Sequence, residues 1–128
     1  MTPEATSEIL KQFEMSWDKT EQFYNTLVYE YKGWGRLMPL LQFIRDKRSE
    51  GEQRHFRLGT SVHHLIISRS VDHGLRPDQK SIQIISENDK FRVVFINGDV
   101  LHSDFTVESL EDERLSNLLL ILKNTLLD

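Results

Sequence analysis

The 128-residue chain has no cysteine, which excludes a disulfide framework, a thiolate metal site and a cysteine nucleophile. Proline and glycine are scarce, at three and six residues, too few for a fibrous or low-complexity chain. No apolar run approaches the roughly 18 residues of a spanning helix. The opening Met1-Thr2-Pro3-Glu4 lacks the basic segment and apolar stretch of a secretory signal. No catalytic or cofactor motif stands out. The expectation is one soluble, cytoplasmic domain over residues 1–128, with no membrane contact, no bound metal and no cofactor.

What is present is a globular composition, 38% hydrophobic and 28% charged, with a net charge of −4. That charge is unevenly spread. Residues 1–31 carry a balance of −4, residues 32–80 of +5 and residues 81–128 of −5. Basic and acidic elements that neutralise each other on packing explain this pattern, and so does a charged partner.

Thr2-Pro3-Glu4 opens a helix well, with a hydroxyl cap, proline in the first turn and an acid at the positive end. Leu10, Phe13, Trp17, Tyr24, Leu27, Val28 and Tyr31 keep a 3.6-residue period, so a helix is expected over about 3–31, weakest at Asp18 to Thr20. Gly33-Trp34-Gly35 ends it. A second helix is expected over about 36–50, with Leu37, Leu40, Leu41 and Ile44 inward, Pro39 in its first turn and Gly51 as its stop.

From residue 54 the period falls to two. Arg54–Leu58 and Val62–Arg69 read as strands, or as one strand with a bulge at Gly59, followed by a loop over residues 70–80. Ser81–Ser86, Phe91–Ile96 and Leu101–Thr106 complete the set. A three-residue loop at Asn97-Gly98-Asp99 would gather Phe91, Val93, Phe95, Leu101 and Phe105 on one face, leaving Arg92, Val94, His102 and Asp104 on the other. Glu108 to about Leu127 reads as a long leucine-rich helix packed on the sheet, with Thr106 or Ser109 as its cap. Leu120 and Leu127 lie off its main stripe. The fold class expected is α+β: N-terminal helices, an antiparallel four- or five-stranded meander and that C-terminal helix.

Four groups of residues are candidate sites. Arg92, His102 and Asp104, joined by His63 or His64, could form an anion-binding or acid–base face; they also describe an ordinary solvated sheet face. His73 and Arg76 in the 70–80 loop could contact a ligand. Arg45, Arg48, Arg54 and Arg57 form a basic stretch suited to an acidic partner; the acidic total makes nucleic acid a poor candidate. Trp34, Leu120 and Leu127 are apolar groups outside the helical stripes, and favour a homodimer or a protein partner. His63 and His64, adjacent on a strand, point to opposite faces and cannot comfortably chelate one ion.

Together these point to a non-enzymatic interaction module: an adaptor, an inhibitor or a chaperone-like dimer. The alternatives are a small-molecule-binding domain or hydrolase with a pocket between sheet and helices, and an anion or nucleic-acid binder through residues 45–57.

Overall fold

A computed structural model describes residues 3–71, 80–98 and 100–125. Helix α1 spans Pro3–Glu30 without interruption. Its expected weak point holds because tertiary contacts outweigh local propensity. Thr20 is buried, and the Asp18 carboxylate is gripped by Arg48. Gly33, with a φ of 87°, supplies the turn. A short 3-10 turn then leads into α2, Met38–Ser49, with Pro39 in its first turn and Gly51 just beyond its end.

The sheet is a five-stranded antiparallel meander, β1 (Arg57–Ser61), β2 (His64–Ser68), β3 (Ser81–Glu87), β4 (Lys90–Asn97) and β5 (Val100–Val107), with neighbours in chain order. Three expectations need correction. Residues Glu52–Arg54 form a 3-10 turn, so the first strand starts at Arg57 and runs straight through Gly59 without a bulge. The bulge lies instead in β5. Asn97 pairs with Val100, Ile96 with Leu101 and Phe95 with Ser103, leaving His102 as the extra residue. Phe91, Val93, Phe95 and Phe105 therefore share a face as expected, while Leu101 sits across from Ile96 and is 59% exposed.

The third correction concerns the C-terminal helix. α3 is short, Glu113–Lys123, because Asp112 takes the capping role and its carboxylate accepts the Arg114 N–H at 2.9 Å. Ser109 caps only a preceding turn, accepting the Glu111 N–H. Leu115, Leu118, Leu119 and Leu122 of α3 are buried in one cluster with Leu40, Leu41 and Ile44 of α2 and Leu65, Ile67, Ile82 and Val93 of the sheet. No described helix is long and apolar enough to cross a membrane.

The β1–β2 turn stores strain. Val62 has a φ of 58° and is 79% exposed, in a backbone region that β-branched side chains avoid. The β3–β4 turn meets the same demand with Asn88 and Asp89, residues suited to it. Replacing Val62 by asparagine is expected to raise stability by about 1 kcal/mol, read as a higher urea midpoint at unchanged slope.

Candidate functional site

An edge strand exposes unpaired backbone groups, and β1 lies at one edge of the sheet. Helix α1 packs against it, and three of its side chains bond to the backbone of β1 and of the residues flanking it. The Trp17 indole N–H donates to the Phe56 carbonyl at 2.8 Å. The Leu58 N–H donates to Ser16 Oγ at 3.0 Å, while that hydroxyl donates to the Phe13 carbonyl. The Tyr24 hydroxyl donates to the His63 carbonyl at 2.9 Å. Of the helical stripe, Phe13, Trp17 and Tyr24 are core, while Leu10 and Tyr31 are exposed.

This fastening leaves a groove on the other side of α1, with a volume of about 960 Å³. Its wall is a second stripe of α1: Gln12, Met15, Ser16, Lys19, Thr20 and Phe23. Its floor is the sheet face turned away from the main core. The pairings of Gly59 with Ile66, Ile66 with Gln83, and Arg57 with Ser68 place these residues side by side on that face. All of them line the groove.

The lining is chemically lopsided. It holds two cations, Lys19 and Arg57, and no aspartate or glutamate among the described residues. Neither cation has a hydrogen bond or ion pair through its side chain. Lys19 is exposed; Arg57 is half-buried, and its Nη1 is closed off from solvent with no acceptor. A buried donor without a partner is costly and calls for an explanation. Gly59 faces open space, since a Cβ built there would meet nothing within 4 Å.

Of the basic stretch, only Arg57 reaches this groove. Arg45 bonds to Asn25 at 3.0 Å and lies 3.5 Å from Glu21, and Arg48 pairs with both Asp18 and Glu21. Acids of α1 thus neutralise bases of α2, and this pairing raises the Arg48 guanidinium further above its ordinary pKa. Arg54 is exposed.

Arg92 and Asp104 are brought together as a two-pronged ion pair, at 2.9 and 2.6 Å. The arginine holds the Asp104 carboxyl below its ordinary range. They occupy the same sheet face as the groove but at the β4–β5 end. His102 does not join them: the bulge sets its ring 5.0 Å from Phe95, with Nδ1 2.7 Å from Ser103 Oγ. His63 and His64 are at the β1–β2 turn, with β3 between them and that pair. Burial first, then His64 and Arg36, push the His63 pKa down.

Trp34 is half-buried against the core, its ring 5.2 Å from His63 and 4.6 Å from the Arg36 guanidinium. Leu120 is 57% exposed on α3. His73, Arg76 and Leu127 lie outside the described residues. No group of three or more possible metal ligands converges among the described residues.

Sequence reading missed Ser16, Lys19, Thr20 and Gly59. The available signal was the second stripe on α1, where small and polar residues recur at helical spacing beside the aromatic one. Compared with family models, curated proteins and solved structures, the chain matches none of them.

Proposed function

We propose that the protein is a non-enzymatic binding module whose working surface is the groove between α1 and the outer face of β1–β3. The observation that carries this reading is Arg57, a half-buried guanidinium that has no counter-charge among the described residues and lines a cleft of about 960 Å³. That volume falls in the range of small-molecule sites.

Catalysis has less support. Arg92 and Asp104 are occupied with each other, and His102 is turned toward Phe95 and Ser103. An acid–base pair needs its histidine within hydrogen-bond reach of the reacting group and of its orienting carboxylate. A homodimer through α3 would use Leu120 and its exposed neighbour Ile121. Among the described residues of α3, two exposed apolar side chains are a small beginning against the roughly 800 Å² that each partner of a stable pair covers.

Gly59 provides a clean test, because a large side chain there would fill the groove without meeting its walls at Cβ. A ligand-observed NMR screen with a mixed library of neutral and charged fragments should give hits on the wild type. Gly59→Phe should lose those hits while unfolding at the same or a higher temperature. Hits that persist unchanged in Gly59→Phe, or a wild type that binds nothing, would contradict the reading.

A further inference from the structure

The lining residues also specify what kind of ligand the groove takes. Three properties have to be met together. The first is negative charge: Lys19 and Arg57 are the only charged groups among the described lining residues, and both lack a counter-charge. The second is a planar or forked acceptor. A guanidinium presents parallel N–H groups that match a carboxylate or phosphate in two-pronged fashion, and desolvation strengthens that bond. The third is an apolar body. Met15, Phe23 and Val71 present apolar surface to the same cleft, beside the buried Leu58 and Ile66, so an inorganic ion would leave most of it unfilled.

Shape decides between a small molecule and a peptide. A peptide docking by strand addition needs free backbone groups on the edge strand. On β1 the Leu58 N–H is taken by Ser16 and the neighbouring Phe56 carbonyl by Trp17. The helix that builds the groove therefore occupies part of the ladder a peptide would use. The α1 stripe from Gln12 to Phe23 extends over about 16 Å at 1.5 Å per residue, which suits a single unbranched chain with a charged head.

Resting on the groove reading, we infer that the ligand is a single-chain anionic amphiphile, with its carboxylate or phosphate head on Arg57 and Lys19 and its chain along Met15, Phe23 and Val71. Arg57 supplies the directional bonds. Lys19, exposed, supplies a charge that salt will screen.

Calorimetric titration tests this below the micelle concentration, with decanoate, decyl phosphate, decanol, acetate, inorganic phosphate and an acidic peptide as probes. Decanoate or decyl phosphate should bind the wild type at least about tenfold more tightly than decanol, acetate or inorganic phosphate, as expected for a charge-assisted bond added to apolar burial. Arg57→Met should weaken the anionic amphiphile by about tenfold or more and leave decanol unchanged. This variant replaces an orphaned donor with an apolar side chain, so its melting temperature should not fall. Lys19→Met should cost only a few-fold, with a shallower salt dependence.

Each contrary result removes a definite part. Decanol matching decanoate would overturn the anion clamp while leaving the groove reading intact. Acetate or inorganic phosphate matching decanoate would overturn the apolar part. An acidic peptide that outcompetes decanoate in an Arg57-dependent way would replace the ligand class. Decanoate binding unchanged by Gly59→Phe would overturn the groove itself, and no binding by any probe would overturn the inference.

Discussion

Replacing Trp17 by alanine is expected to cost about 3–5 kcal/mol, the range for emptying a large aromatic site in a packed core. Trp17 is 2% exposed and belongs to the main buried cluster. It is also one of the bonds that hold α1 against β1, because its indole N–H is the donor to the Phe56 carbonyl. Trp17→Phe separates the two contributions: it keeps most of the ring volume and leaves that carbonyl unpaired. A loss of about 1–3 kcal/mol is expected for the conservative change, and the remainder belongs to the cavity. The check is urea denaturation of both variants. If Trp17→Phe proved neutral, the indole bond would not be part of what fastens the edge.

The second large effect is at alkaline pH and involves Tyr24. Its hydroxyl is fully buried, and burial raises its pKa well above the ordinary tyrosine value. The folded protein therefore keeps the neutral phenol where the unfolded chain already ionises it. The stabilisation from this group is complete below about pH 10 and is lost as pH rises past it, by about 1.4 kcal/mol per unit. At neutral pH, Tyr24→Phe should be less stable by about 1–3 kcal/mol, since the His63 carbonyl loses its donor. Above pH 10 that difference should shrink, because phenylalanine has no proton to lose. Denaturation midpoints of the two proteins between pH 7 and 12 check this. A gap that stayed constant across that interval would show that Tyr24 is not held neutral by the fold.

The parts of the fold legible in the sequence are those set by local period. Trp17 and Tyr24 fall on one helical stripe, and Ile82 with Ile84 and Phe91, Val93 and Phe95 alternate as half-buried strands. What escaped were competitions between neighbouring signals. Ser109 and Asp112 both suit a helix cap, and the later one wins, which shortens α3. Asn97 and Gly98 both suit a turn, and the choice of pairing moved the extra residue to His102 and put Leu101 on the exposed side.

The candidate site was less legible for a related reason. Arg57 reads in the sequence as part of a basic stretch, but its neighbours Arg45 and Arg48 are neutralised by acids roughly twenty or more positions earlier in the chain. That pairing depends on how α1 and α2 pack. Ser16 and Thr20 carry no signal alone, since small polar residues on a helix read as solvated surface. Their meaning comes from β1, whose edge α1 covers and whose outer face completes the groove.

The most direct measurement of the groove's role is an amide chemical-shift map of the isotope-labelled wild type titrated with decanoate. The largest saturable shifts should fall on Ser16, Lys19, Thr20, Arg57, Gly59 and Gln83, which line the groove from α1, β1 and β3. Shifts centred on the Arg92–Asp104 end of the sheet or on α3, or an unchanged spectrum at saturating decanoate, would contradict it.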